Sequence, residues 1–450
     1  MSHPDTIAAI STGLVESAIG IVRLSGPKAW QIFAKIARQK KRPPARSVKF
    51  CKIVEPHTKK TLDDCLFVHF PKPNSYTGED VIEIFCHGSL PVLNTLLDLC
   101  LRNNARLAEP GEFTKRAFLN GKLDLAQAES VQELISAKTN IAAETAVEGI
   151  NGVISLKIQQ VRQKLVEILA HLEAALDFPD EIDFISDSKL NRDIDKIQQE
   201  IGQIFSNSQR SRIFQQGVTI AIVGKPNVGK STLLNCFLGQ ERAITSHLPG
   251  TTRDTIEELI DLDGIPAKLI DTAGLRKAND DIEHQGIKRS EEKIRQADLI
   301  LCVLDIAKAI SQEDKKIFQR FPHNKVIIAA NKCDLQKKHT LATLPYPSAT
   351  ISAKTGRGIA KLVKLLKTEI LKGIPARAES IALTNTRQLK QLEKAGQSLD
   401  HLIATLKKNM PLDCLAVDLK AAIVALGQIT GENVSQEVIN NIFEKFCVGK

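Results

Sequence analysis

The chain has 450 residues, long enough for two to four domains that each bury a core of their own. Hydrophobic residues at 43% and charged residues at 25% are ordinary for a soluble globular protein, and no apolar run reaches the ~18 residues that a membrane-spanning helix needs. A formal charge of +9 spread over this length permits an anionic partner without establishing one, and 4% aromatics argue against a base-stacking surface.

The N-terminus reads MSHPDTIAAISTG. It has neither a basic region leading into an apolar core nor an Arg-rich amphipathic stretch, so no signal or transit peptide is expected. Residues 1–120 alternate short apolar runs with turn signals. IGIVRLSG, CLFVHF and VIEIFCHG read as strands, and KAWQIFAKIA and VLNTLLDLCLRN as helices, which makes a mixed α+β domain. The densest basic stretch, RQKKRPPAR at 38–46, reads as a solvated loop rather than a nucleic-acid clamp. From 121 to 215 the spacing is helical, interrupted by Pro179.

Between 216 and 378 the texture changes again. VTIAIVG, AKLIDTAG, LILCVLD, KVIIAANKCD and ATIS are short apolar strands, most of them separated by helical stretches, as in a doubly wound, mainly parallel sheet. Helical patterns return over 379–450. The economical reading is a helical domain built from both flanks and interrupted by an inserted nucleotide domain. The nine cysteines, at 51, 65, 86, 100, 236, 302, 333, 414 and 447, show no C-x-x-C spacing, so reduced cytoplasmic thiols are expected and a zinc site is not.

Residues 224–231 read GKPNVGKS, after a strand and before a helix, which is the context of a phosphate-binding loop. Asn227, Val228, Gly229, Lys230, Ser231 and Thr232 would wrap the phosphates of GTP, with Lys230 on the β and γ phosphates and Ser231 on Mg²⁺. Thr252, in PGTTRD, is a second candidate Mg²⁺ ligand. Asp271, Thr272, Ala273 and Gly274 end another strand, where Asp271 can hold the metal's water shell and Gly274 can donate to the γ phosphate. Asn331, Lys332 and Asp334 follow. A carboxylate at Asp334 accepts from the ring N–H and the exocyclic amine of guanine, and adenine offers neither donor there. Ser352, Ala353 and Lys354 close the base pocket. The position after Asp-x-x-Gly is Leu275, which cannot orient water, so hydrolysis needs another group.

These motifs, together with SYTGEDVIEIFCHG, PGEFTKRAFLNGKLDLAQAE, DFPDEIDF, GTTRD, DTAGLR and the terminal FCVGK, resemble the MnmE (TrmE) family over essentially the whole chain. The resemblance implies a multidomain α/β protein: an α+β dimerising N-terminal domain, a helical domain, and an inserted Ras-like P-loop GTPase domain. It implies a GTPase of tRNA wobble-uridine modification that binds 5,10-methylenetetrahydrofolate (5-formyltetrahydrofolate as an analogue) through Arg23, Glu83, Lys122 and Lys450. Pterin presents a guanine-like donor edge that suits Glu83, and the glutamate tail of folate suits cations. The loop TGLVESAIGIVR departs from the family's usual Gly-rich form at Glu16 and Ser17. The resemblance further implies K⁺ held by Asn227, Ser246, Leu248 and Thr251, with Ser246 and Thr251 also at the nucleotide, and Glu283 as the acid that orients water. A flavin-dependent partner carrying FAD, MnmG, is implied as well. Cys447 is a candidate catalytic thiol, with packing as the other reading.

Two rival classes share some of these features. A ribosome-assembly GTPase would usually append an RNA-binding domain after the G motifs, and none is visible. A lipid-anchored switch would need aliphatic residues after Cys447, whereas the chain ends Val448-Gly449-Lys450, a poor prenylation signal. No membrane anchor is expected.

Overall fold

The computed structural model describes residues 5–56, 58–178, 188–239, 257–271, 296–322, 325–335, 345–373, 382–408 and 410–450. They fall into two compact units. One comprises the described parts of Met1–Gln132, Gly149–Ser186 and His401–Lys450, and the other those of Glu133–Glu148 and Asp187–Asp400.

The first unit contains a six-stranded sheet in the order β3-β4-β5-β2-β1-β6: β1 (Ile7–Ile10), β2 (Ser17–Ser25), β3 (Val48–Val54), β4 (Thr61–Phe70), β5 (Val81–Gly88) and β6 (Arg106–Leu107). All pairs are antiparallel except β1 with β6. Period-2 alternation decides its faces. Val22, Leu24, Ile82, Ile84, Cys51 and Ile53 join a core with α1 (Ala29–Ile36) and α2 (Leu90–Arg102). Arg23 and Glu83 occupy the alternate positions, directly opposite each other on β2 and β5. Helices α3 (Glu112–Leu119) and α4 (Leu125–Ser136) follow, and the chain passes into the second unit at Glu133, where most of α5 (Asn140–Ile150) belongs.

Helix α6 (Val153–Asp177) buries Ile154, Ile158, Val161, Leu165, Ile168, Leu172 and Ala175. The helix Leu412–Thr430 buries Leu415, Leu419, Ala422, Leu426 and Ile429. Both stripes repeat at alternating steps of four and three, the spacing of a coiled-coil seam, and the two helices pack together. A sequence separation of more than two hundred residues is thus closed within one unit.

In the second unit, β7 (Val218–Val223), β8 (Glu257–Leu262), β9 (Ile265–Asp271), β10 (Leu299–Asp305), β11 (Val326–Asn331) and β12 (Ser348–Thr350) form a sheet ordered β12-β11-β10-β7-β9-β8. All of its pairs are parallel except β8 with β9. Both faces of the β7, β10 and β11 strands are covered, which explains their unbroken apolar sequences. Helix α7 (Ser188–Gln216) runs into β7 through Gly217, whose φ is +76°.

Four strands had no counterpart in the sequence reading: β1, β3, β6 and β8. The first is short and the third spans two residues, while β3 alternates basic and apolar side chains at a sheet edge. The basic stretch 38–46 follows α1 as an irregular, mostly exposed segment. All nine cysteines are free thiols. Among the described residues no helix is long and apolar enough to cross a membrane.

Candidate functional site

The described nucleotide motifs, 224–232, 331–334 and 352–354, lie at the carboxyl ends of the parallel strands β7, β11 and β12, where an open α/β sheet binds ligands. Strand β7 ends at Val223, the loop 224–229 turns over it, and α8 (Lys230–Phe237) leaves from Gly229. Gly229 has φ +98°, and a Cβ there would strike the Asn331 amide. The backbone can therefore approach a phosphate only if this residue is glycine. Lys230 is buried, and its Nζ donates to the carbonyls of Gly224 at 2.9 Å and Lys225 at 2.8 Å. That ammonium is held in the concavity that phosphate oxygens would share. Ser231 and Thr232 open the helix on its exposed side.

The loop 331–334 is fastened to the loop 224–229. Asn331 Nδ2 donates to the Val228 carbonyl at 2.9 Å, and Asn331 Oδ1 accepts from the Ala353 N–H at 2.9 Å. Lys332 Nζ donates to the Asn227 carbonyl at 2.8 Å and pairs with Asp305 at 2.7 Å. Both Asn227 and Lys332 are left-handed, at φ +63° and +68°. The Ser352 hydroxyl, then the backbone and the Lys354 and Lys332 ammoniums hold the Asp334 carboxyl below its ordinary 3.8. Asp334 is thus kept anionic, as reading a donor edge requires.

Asp271 ends β9, beside Ile222 of β7, which puts its backbone next to the phosphate loop. Ser246, Leu248, Thr251, Thr252, Thr272, Ala273, Gly274, Leu275 and Glu283 lie outside the described residues. Of the proposed K⁺ ligands only Asn227 is described, and of the Mg²⁺ ligands only Ser231.

A second cluster forms in the other unit. Arg23 Nε and Nη2 both reach Glu83 Oε1 at 2.9 Å, and Arg23 Nη1 donates to the Gly449 carbonyl at 3.2 Å. The guanidinium lies 5.5 Å from the Phe113 ring centroid and 5.9 Å from that of Tyr76. The chain end runs along the start of α3, where Gly111 N–H donates to the Cys447 carbonyl at 3.3 Å and Phe113 N–H to Lys450 O at 3.2 Å. Phe443 and Phe446 anchor this segment against Leu125 and Ala128. Burial and the nearby Arg23 charge push the Lys450 ammonium below its ordinary 10.5, partly offset by Glu83 and Cys447. Lys122 is exposed, and its aliphatic stem runs past Gly78. The Cys447 side chain is exposed.

The family model for the MnmE helical domain matches residues 125–447, and that for the GTP-binding protein TrmE N-terminus matches residues 6–122. The chain is 40% identical to the tRNA modification GTPase MnmE of Acetivibrio thermocellus, covering 100% of both chains. The chain belongs to the MnmE family. It is 41% identical to the MnmE of Clostridioides difficile over 99% of each chain, and 39% identical to that of a Nostoc species over 100% of each.

In this MnmE family member several residues complete the two sites without any motif to announce them. Lys225 bonds the Ser311 hydroxyl and pairs with Asp314 at 3.1 Å and Glu313 at 3.3 Å, which ties the phosphate loop to the helix Gln312–Gln319. In the N-terminal sheet, the fully buried Arg116 bonds Asp5 at 2.7 Å, Glu112 at 2.9 Å and Glu79 at 3.1 Å. That network seats α3, which carries Phe113. The one sequence signal was a run of charges, KRAF after EFT, in an otherwise amphipathic helix.

Proposed function

We propose that this protein is a K⁺-activated GTP hydrolase, working as a cytoplasmic homodimer with a flavin-dependent partner that carries FAD, MnmG. Together they install a carboxymethylaminomethyl or aminomethyl group at C5 of the wobble uridine of certain tRNAs, using 5,10-methylenetetrahydrofolate. The observation that supports this reading is that one family member holds both a phosphate-loop fold fastened to Asn331 and Lys332 and an arginine-centred cluster contacted by its own Cys-x-Gly-Lys segment.

The residues present fit the implied ligands. Gly224 and Gly229 open the loop to phosphates, and Asn331 and Lys332 fix it in place. Asn227 stands on that fixed loop, where its side chain would help hold K⁺ beside the phosphates, with Ser246, Leu248 and Thr251 completing the shell. Ser231 and Thr252 would hold Mg²⁺, and Asp271 its water shell. Glu283 would orient the attacking water. In the second cluster Arg23 uses only Oε1 of Glu83, so among the described residues Oε2 is left to accept from a pterin donor edge. Arg23, Lys122 and Lys450 would meet the folate carboxylates, and bound folate would supply the one-carbon unit. The domain limits that accompany this reading are 1–120, 121–215 with 379–450, and 216–378.

Wobble-nucleoside analysis of tRNA from cells lacking the protein tests it. The C5-modified uridines should disappear and return with the wild-type gene but not with an Arg23→Ala copy. Unchanged nucleosides in the deletion strain would refute the reading.

A further inference from the structure

We propose that the basic face formed by α1, the segment after it and β3 is a docking surface for the phosphate backbone of RNA. This rests on the tRNA reading above and names the surface that would hold that substrate. Residues 28–60 contain eleven Lys and Arg residues and one acid, Glu55. The whole chain has a net charge of +9, so the other 417 residues together are slightly negative. The excess positive charge is therefore not spread over the molecule. It is gathered in one stretch of the N-terminal domain, where Lys49 shares the α1 side of β3 with Cys51 and Ile53 and Lys52 takes the opposite side.

All eleven side chains are exposed. Lys28 and Lys35 stand seven residues apart, two turns or about 10 Å along one side of α1. Arg38, Lys40 and Lys41 continue from its end, and Lys49 comes from the edge strand β3, whose Cys51 and Ile53 pack under α1. Arg42 and Lys52 approach carboxylates, Asp80 at 3.7 Å and Asp64 at 3.0 Å. Among the described residues Lys28, Lys35, Arg38, Lys40, Lys41 and Lys49 have no acidic partner.

Ordinary structural causes explain part of this pattern. Cations near the carboxyl end of α1 complement its dipole, which covers Lys35 and Arg38. Lysines on an edge strand discourage unwanted strand pairing, which covers Lys49 and Lys52. Neither cause reaches Lys28, Lys40 and Lys41, and neither calls for the near absence of acids. Unpaired like charges repel one another, a cost that an incoming polyanion reverses. The chemistry favours RNA over a lipid surface. Membrane docking sets apolar side chains beside the cations; no large one is exposed between residues 28 and 47, and the exposed Val48 and Phe50 alternate with Lys49 and so lie on the other side of β3. The scarcity of aromatics points to contacts with phosphates rather than stacked bases.

The test uses the full-length protein, a fluorescein-labelled tRNA transcript and phosphatidylglycerol vesicles. Lys35→Glu, Arg38→Glu, Lys40→Glu and Lys41→Glu are combined in one variant. Lys361→Glu, Lys364→Glu, Lys390→Glu and Lys394→Glu form a control of equal charge. The first variant should lose about tenfold or more in tRNA affinity, and the slope of log affinity against log salt should fall by about 3. The control should keep wild-type affinity, and both should keep wild-type GTP hydrolysis, which verifies folding. A Gln version of the four substitutions should show a smaller loss in the same direction. The proposal is overturned if the variant stays within twofold of wild type, if the control loses as much, or if the wild type binds vesicles and not tRNA. Vanished modified uridines in the deletion strain together with an unaffected variant would overturn this surface alone and leave the tRNA reading standing.

Discussion

The Arg23 guanidinium donates to the Gly449 carbonyl at 3.2 Å, across 426 positions of the chain. The same guanidinium is held by Glu83 from the neighbouring strand and lies near two aromatic rings. One side chain thus joins the middle of a sheet to the end of the chain.

Gly449 should resist substitution. Its φ is +93°, and a Cβ would run into the carbonyl of Ile10. Gly449→Ala should cost about 1–3 kcal/mol of local strain and release the segment. Hydrogen exchange is the measurement: the Gly111 and Phe113 amides, which donate to Cys447 and Lys450, should lose protection. Guanine nucleotide affinity should not change. Full protection of both amides in the variant would show that the segment is held by other contacts.

The nucleotide loop should depend on Asn331 more than its distance from the phosphates implies. Removing its amide breaks two buried bonds, to Val228 and Ala353, and leaves a carbonyl and an N–H without partners. Asn331→Ala should weaken GDP binding by about 1.5–3 kcal/mol, or roughly tenfold to a hundredfold. Asp334→Asn should act differently, lowering affinity for guanine while raising it for xanthine nucleotides, whose ring carbonyl accepts from an amide. Titration calorimetry with GDP and XDP separates the two.

The N-terminal sheet should weaken in acid. Burial tends to raise the Glu112 carboxyl, but bonds from Arg106, the Glu109 N–H and Arg116 outweigh it and hold the group below its ordinary 4.5. A carboxyl lowered by folding binds fewer protons in the native state, so its contribution is complete above about pH 4.5 and is lost as pH falls through the lowered native value. Glu112→Gln should remove that part of the pH dependence and cost about 1.5–3 kcal/mol at neutral pH. Thermal unfolding between pH 3 and 7 reads both effects, and equal acid slopes for variant and wild type would contradict them.

GTP turnover should be well above its NaCl level in KCl, and Asn227→Ala should abolish that difference while leaving GDP bound. Glu283→Ala should spare GTP binding and nearly eliminate hydrolysis. Equal rates in the two salts would remove K⁺ from the proposal, and wild-type turnover without Glu283 would remove that acid.

The sequence by itself marked the candidate nucleotide site, because each of its motifs is a few contiguous residues, and two that are described, 224–231 and 331–334, begin at the ends of β7 and β11. The residue types of each motif are local, whereas the bonds from Asn331 and Lys332 that fasten the two loops together are not. Apolar runs with helical or twofold spacing marked most of the other elements, but β3 and β8 passed unseen because edge strands carry mixed polarity. Tertiary structure alone decided the partners of Arg23, the anchoring of Lys225 by Asp314 and the burial of Arg116. Each of these depends on which strands are neighbours and in what register. No local pattern encodes that, because register is settled only when distant segments bury their apolar faces together.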